Sequence, residues 1–202
     1  MPHAPVIWSK VLTTFYRRMV VVTKDIGSAA PDPSVGIAAS FSPVTAEQLP
    51  ELFVFRPSLI RREIDERLAL GHLCFAAWHE GKIVHAGWAG TSRAHIPFIH
   101  SDILLRPEEF YIYDSFTLPQ FRRLNLVLAR SAAMHRYFSE RSYKRSYGVV
   151  ALMNQGGLAV LEPAGYRTIG MYGCVRLGPL HRTWAYPGST EPLPPLQPHL
   201  SA

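Results

Sequence analysis

The stretch Phe116 to Val127, FTLPQFRRLNLV, joins the end of an aromatic and β-branched run to the start of a helical pattern and carries two adjacent guanidiniums at the junction. A strand that stops and turns directly into a helix aims unpaired backbone N–H groups and the positive end of the helix dipole at one point. Arg122 and Arg123 add charge there, so the junction suits an anion such as a pyrophosphate. Just upstream stands Asp114. Strict alternation along Phe110 to Leu118 puts it on the face of Ile112 and Phe116, opposite Tyr113 and Ser115. A carboxyl between apolar neighbours has a raised pKa, which is what a proton acceptor for an ammonium group needs. Further on, Asn154 can cap a short helix begun by Gly156-Gly157 and closed by Gly165.

The nine histidines raise the question of a metal. His72, His79, His85, His95 and His100 fall in the middle third, but no HxxxH or HExxH spacing occurs, and His95 and His100 lie in a stretch that reads as a loop. They read as surface or internally bonded residues, and no metal is expected. His85, on a strand, is the one placed to meet an acceptor. Cys74 and Cys174 have no CxxC or Cys/His spacing and read as buried thiols. Trp78 and Trp88 read as sheet-face residues, and Tyr111 and Tyr113 are candidates to line a pocket.

The elements that position these groups follow from periodicity. Residues 15 to 25, with Val20-Val21-Val22-Thr23 at their centre, predict an N-terminal strand. Thr45 and Gln48 have capping-box spacing and open a short helix. Another helix runs from Ser58 to Gly71, with Ile60, Ile64 and Leu68 on one face and Glu63 able to pair with Arg67. Leu73 to Trp78 and Ile83 to Gly90 are joined through Glu80-Gly81, a hairpin signal. The run Phe110 to Leu118 must end at Pro119, which cannot continue a ladder. Arg123 to about Arg141 is the longest predicted helix. Tyr147 to Leu152 and Tyr166 to Val175 are strands flanking the helix at Asn154. The order predicts an α+β sandwich with a mixed sheet.

Taken together, FTLPQFRRLNLV and NQGGLAVLEPAGYR resemble the GNAT N-acetyltransferases, and the resemblance covers roughly residues 39 to 175. FTLPQFRRLNLV is similar to that family's fourth strand, Pro-x-Tyr/Phe-Arg linker and the start of its cofactor helix. NQGGLAVLEPAGYR is similar to its Asn-containing helix ending in Gly-Phe/Tyr. The resemblance implies a mostly antiparallel sheet of about six to seven strands flanked by helices. It implies acetyl-CoA as donor, with amides of Arg123, Leu124, Asn125, Leu126 and Val127 and the charge of Arg122 around the diphosphate. Phe116, Thr117 and Leu118 would pair main-chain with the pantetheine arm, and Asn154 would complete the donor site. Asp114, with Tyr113, is the nearest match to the base beside the fourth strand. Two departures stand out. Arg123, Asn125 and Val127 occupy places where glycine or another small residue is common, and Leu161 stands where many members have an acidic Tyr.

The implied activity is acyltransferase chemistry: acetyl transfer from acetyl-CoA to a primary amine by direct attack. Alternatives left open are a longer acyl-CoA or acyl carrier protein donor, and a non-catalytic acyl-CoA-binding module. The net charge of +6 concentrates between Arg122 and Arg145, where seven basic residues face one acid. No aromatic-lined basic groove accompanies them, which argues against nucleic acid. The longest apolar run of the N-terminus, Met19 to Val22, is too short for a signal core or a membrane span, so a cytoplasmic protein is expected. The organisation reads as an N-terminal strand and loop (residues 1–38), an acyltransferase domain (39–186) and a proline-rich, flexible tail (187–202). A homodimer stays open, because the N-terminal strand can serve its own sheet or a partner chain.

Overall fold

Val21, Val22 and Thr23 are fully buried in β1 (Tyr16–Asp25), which pairs antiparallel with a strand on each side. The N-terminal strand therefore serves its own sheet and sits inside it. The computed structural model describes residues 16–27, 33–177 and 180–199. Phe15, the residues before it, part of the following loop and the last three residues of the tail lie outside the described residues.

The remaining elements follow in chain order. β2 (Ser40–Pro43) leads through a 3-10 turn to α1 (Leu49–Phe55), with Gln48 Oε1 accepting from the Thr45 N–H at 3.0 Å. α2 (Arg61–Ala69) buries Ile64 but leaves Ile60 and Leu68 exposed. β3 (Leu73–His79) and β4 (Lys82–Gly90) form the expected hairpin; Glu80 and Gly81 both take positive φ, as a type I′ turn requires. β5 (Arg93–Ile96) and β6 (Ser101–Leu104) come next, then β7 (Glu109–Thr117). α3 (Leu126–Ser139), β8 (Arg145–Ala151), α4 (Gln155–Ala159), β9 (Arg167–Leu177), β10 (Leu180–Pro187) and β11 (Leu196–Pro198) follow among the described residues.

Among the described residues the main sheet has eight strands in the order β10-β9-β1-β8-β7-β4-β3-β2, and only the neighbours β7 and β8 run parallel. The fold is thus the mixed, mostly antiparallel α+β sandwich that the sequence predicts. The strand count is higher than expected because the short β2 and the strand β10 extend its two edges. One face carries α1 and α2 over Cys74, Ala76, Ala86 and Trp88. The other carries α3 over Phe75, Ala89 and Phe110. Both cysteines are free and buried.

Two expectations are corrected. The stretch around His95 and His100 is only partly a loop: His95 lies on β5, His100 lies in the turn before β6, and β5, β6 and β11 make a separate three-stranded sheet. Strands this short carry too little alternation to be read from sequence. The proline-rich tail is extended but packed. Leu196↔Ile103 and Pro198↔Ser101 are register partners, and the buried Tyr172 hydroxyl donates to the Pro194 carbonyl at 2.6 Å. Proline is tolerated there because β11 is an edge strand. Among the described residues, no helix is long and apolar enough to cross a membrane.

Tyr172→Phe leaves the Pro194 carbonyl without its buried donor and is expected to cost about 1–2 kcal/mol. In a chain of this size that is a melting temperature lower by about 2–8 °C, measurable by calorimetry; an unchanged value would mean the tail is not anchored there.

Candidate active site

The site originates in one irregularity of β7. Trp88 pairs with Tyr113 and Ala86 with Phe116, so Asp114 and Ser115 both stand opposite Gly87. Asp114 takes φ +48° at this bulge. The extra residue breaks the alternation expected from sequence. Tyr113 and Phe116 pack on the α1–α2 face, and Asp114 meets arginines from those helices, whereas Ser115 turns to α3 and Ile112 packs with the α3 cluster. Asp114 is therefore not on the face of Ile112.

Nor is it an acid among apolar neighbours. Arg56 Nη1 donates to Asp114 Oδ1 and Arg67 Nη1 to Oδ2, each at 2.6 Å. Burial alone would push this carboxyl up, but the two guanidiniums outweigh it and hold Asp114 below its ordinary value. An anion fixed between two cations is a poor proton acceptor, so the expected role of Asp114 as base is corrected to that of a structural anchor. Arg67, expected to pair with Glu63, is the arginine from α2 in this clamp.

β7 and β8 pair from Glu109↔Arg145 to Ile112↔Gly148 and then separate, although both strands continue. Main-chain groups that would complete a ladder face open space instead. A cavity of about 780 Å³ occupies the split. Its walls are Tyr113 to Thr117, residues 121–128, Val149 to Ala151, and Asn154, Leu161 and Tyr166 beyond them. The structure thus gathers Phe116, Thr117, Arg122, Arg123, Leu124, Asn125, Leu126, Val127 and Asn154 around one space. Leu118 is not on its wall; its N–H bonds the Val84 carbonyl at 3.1 Å, and its side chain packs beneath α1.

α3 starts three residues later than predicted because Arg123 and Asn125 adopt left-handed φ of +65° and +59°. These are two of the three positions where the resembled family commonly has glycine or another small residue. The backbone keeps a loop shape that glycine favours, at a cost of about 1–2 kcal/mol for a residue with a Cβ such as Arg123. No side chain caps α3, since the Asn125 amide donates to the Ser34 carbonyl instead. The first amides of α3 have no intrahelical acceptor and open on the cavity. Asn154 caps α4 by accepting from the Gly157 N–H at 2.9 Å, as predicted.

Sequence reading missed Arg130. It belongs to the basic run, yet it is 1% exposed and lies on the cavity wall. Its Nε donates to His85 Nε2 at 3.1 Å, and its Nη2 donates to the Ser115 hydroxyl. Burial lowers its pKa to about 10, still a cation at neutral pH. No carboxylate among the described residues pairs with it. A Cβ on Gly87 would come within 2.8 Å of the Arg130 guanidinium carbon, so only glycine leaves it room. The available signal was position: Arg130 stands one turn from Met134 on the buried side of the helix. His85 is not an acceptor-site residue. It is fully buried, its pKa is held well below the usual value by burial and by Arg130, and its Nδ1 is 2.7 Å from the Thr117 hydroxyl.

A further pair stands on the other face. His72 Nε2 lies 2.8 Å from the Arg93 carbonyl, and His72 Nδ1 lies 2.7 Å from the Tyr113 hydroxyl. The carbonyl can only accept, so Nε2 carries the ring proton and Nδ1 accepts from Tyr113. Burial lowers the pKa of His72 and raises that of Tyr113. The Tyr166 hydroxyl is tied into a buried network with Ser146 and His135, 3.3 Å from each, while Leu161 offers no proton.

The seven basic residues do not form one surface. Arg130 is buried, Lys144 bonds Glu108 at 2.7 Å, Arg145 bonds Asp25 at 3.0 Å, and Arg122 and Arg123 stand exposed at the cavity.

Solved structures share this fold. A GCN5-related N-acetyltransferase from Sphaerobacter thermophilus superposes with TM-score 0.56 at 13% identity, over 94% of this chain and 59% of that one. The glucosamine N-acetyltransferase region of a fungal multi-domain GH3 β-N-acetylglucosaminidase gives 0.58 at 13% identity, over 85% of this chain and 23% of that one. An aminoglycoside acetyltransferase in complex with a bisubstrate analogue, CoA-S-monomethyl-acetylneamine, gives 0.51 at 13% identity, over 63% and 90%. The chain therefore has the GNAT fold, and it spans about three fifths of the Sphaerobacter protein and under a quarter of the fungal one. No protein-family model and no curated protein matches the sequence.

Asp114→Asn removes the negative partner of two partly buried guanidiniums and is expected to cost roughly 3 kcal/mol, read from urea midpoints near pH 7. A depressed folded pKa means that the carboxylate's stabilisation is fully present above the unfolded value, about 3.9, and is lost as pH falls through the lower folded value. The gap between wild type and variant should stay constant above about pH 5 and close on further acidification; a gap that widens in acid contradicts the clamp.

Proposed function

We propose that this chain is an acyl-CoA-dependent N-acyltransferase that moves an acetyl group from acetyl-CoA to a primary amine by direct attack in a ternary complex. The observation that carries the reading is the parting of β7 from β8 beside the uncapped start of α3. One end of the cavity offers amides and arginines to a diphosphate; the other offers unpaired strand edges to an extended amide-bearing arm. The CoA-based analogue bound by the aminoglycoside enzyme of the same fold supports this donor.

In this reading the diphosphate lies against the amides of Arg123 to Val127, with Arg122 and Arg123 beside it. The pantetheine arm adds itself to Phe116 and Thr117, with Asn154 across the cavity. The thioester carbonyl then reaches β7 near Ser115, where main-chain N–H groups can hold the developing oxyanion, each worth a few kcal/mol. The positive field of Arg130, delivered beside Ser115, favours the same charge.

The amine attacks the thioester carbon, the C–S bond breaks, and one proton must leave the nitrogen. Tyr113 is the cavity residue on the α1–α2 face that can pass it on: its oxygen accepts from the amine while its own proton moves to His72 Nδ1. His72 suits this role because burial keeps it neutral at physiological pH. The CoA thiolate leaves near its own pKa and takes a proton from water, so the absence of an acid at Leu161 does not block the reaction. A free acyl-CoA is favoured over an acyl carrier protein because the basic run supplies no continuous docking surface.

Acetyl-CoA is expected to bind with a micromolar Kd by calorimetry, about −8 kcal/mol. Arg122→Glu/Asn125→Asp, which places acids at the diphosphate, should weaken binding at least about tenfold. Wild-type protein that binds neither acetyl-CoA nor longer acyl-CoAs would overturn the donor assignment.

His72→Gln should lower turnover about 100-fold while leaving the acetyl-CoA Kd unchanged. At constant free-amine concentration the wild-type rate should show an acid limb below the ordinary imidazole value of about 6.5, because burial lowers the pKa of His72. An identical pH profile in the variant would exclude the Tyr113–His72 route.

A further inference from the structure

The three-stranded sheet carries a cluster that acyl transfer does not use. His95 lies on β5 and Asp102 on β6, directly opposite each other in register. Gln197 on β11 pairs with Asp102 from the other side, so His199, two residues on, falls on the same face. His95 Nδ1 is 3.0 Å and His199 Nδ1 2.8 Å from the same oxygen, Asp102 Oδ1. The two imidazole rings lie 3.8 Å apart between centroids. Arg93 Nε stands 3.5 Å from the other oxygen, Oδ2, and so leaves Oδ1 to the histidines.

We propose that His95, Asp102 and His199 form a binding site for one divalent transition-metal ion of the Zn²⁺ type. Two imidazole nitrogens and one carboxylate oxygen, all within 4.8 Å of one another, are donors that Zn²⁺, Co²⁺ and Ni²⁺ accept, whereas Cu(I) would call for thiolates. With metal–ligand bonds of about 2.0–2.1 Å, the edge of a tetrahedral site is roughly 3.3 Å. The two short edges here, 2.8 and 3.0 Å, need to open by only a few tenths of an ångström once the ion replaces the two Nδ1 protons. Asp102 is 5% exposed, while His95 and His199 are about one third exposed, so the fourth position faces solvent and takes water. Arg93 orients the carboxylate from behind. Bound this way, the ion joins the tail to residues about a hundred positions earlier and stabilises the small sheet. This site stands whether or not the chain transfers acyl groups.

The test uses full-length, tag-free protein stripped with a chelator, titrated with Zn²⁺ by calorimetry and with Co²⁺ by visible absorption. The expected result is one equivalent bound with a micromolar or tighter Kd, a d–d band of tetrahedral Co²⁺, and a higher melting temperature with Zn²⁺. Asp102→Asn and His199→Ala should each weaken binding at least about tenfold. His95→Gln keeps a hydrogen-bond donor toward Asp102 but removes a ligand nitrogen; it should also lose the ion while its circular dichroism matches wild type. His100 and His181, whose rings meet 5.9 Å apart, serve as controls. No stoichiometric binding, binding unchanged in folded His95→Gln, or binding lost on His100→Ala/His181→Ala instead would each overturn the proposal.

Discussion

The Asp114 carboxylate sits between Arg56 and Arg67, and much of the cavity's shape depends on that clamp. A bulge in mid-strand leaves a residue with positive φ, a conformation that is unfavourable unless its surroundings hold it. Here two arginines hold it: Arg56, just after α1, and Arg67 within α2. The same guanidiniums lie over Phe116 and Tyr113 of β7 and Trp88 of β4, so charge and packing act together where the bulge sits. With the bulge fixed, β7 bends out of register just beyond Ile112, and β8 has no edge left to follow.

The two faces of the bulge then acquire different chemistry. On the α3 side, Ser115 meets Arg130, a cation with only neutral partners, in space that Gly87 leaves open. A buried charge without a counterion is unfavourable, and a ligand that brings or develops negative charge there relieves it. On the α1–α2 side, Tyr113 and His72 form a neutral pair in which the direction of the proton is set by the Arg93 carbonyl. One strand thereby separates a cationic side from a proton-accepting side; in the proposed reaction the first faces the donor and the second the acceptor.

What was legible in the sequence was local. Glu80-Gly81 specifies its turn, Pro119 ends its strand, Asn154 and Gly165 bound their helix, and Val20 to Val22 declare a buried strand, because each rests on the chemistry of adjacent residues. Much of the cavity wall was legible too: residues 122–127 follow from a strand meeting a helix, and Phe116, Thr117 and Asn154 from the family resemblance, whereas Leu118 lies elsewhere. Asp114 was misread because a one-residue bulge changes which face every later side chain occupies, and alternation cannot reveal it. Arg130 was hidden within a run of charges that looked solvated as a group. His95, Asp102 and His199 meet only after β11 closes on β6, so no spacing rule connects them.

The place of β1 inside the sheet bears on how the chain assembles. Val21 pairs with Val149 on one side and Gly170 on the other, so the first described strand finds its neighbours only when the last third of the sequence is present. During synthesis its valines have no edge to join, while β3, β4 and β7 can already form a meander. Contacts this distant slow folding and lengthen the time in which an apolar strand is exposed. A nascent chain that lacks β8 and β9 carries an unmatched Met19 to Thr23 segment, exposed to aggregation until the last third of the sequence arrives.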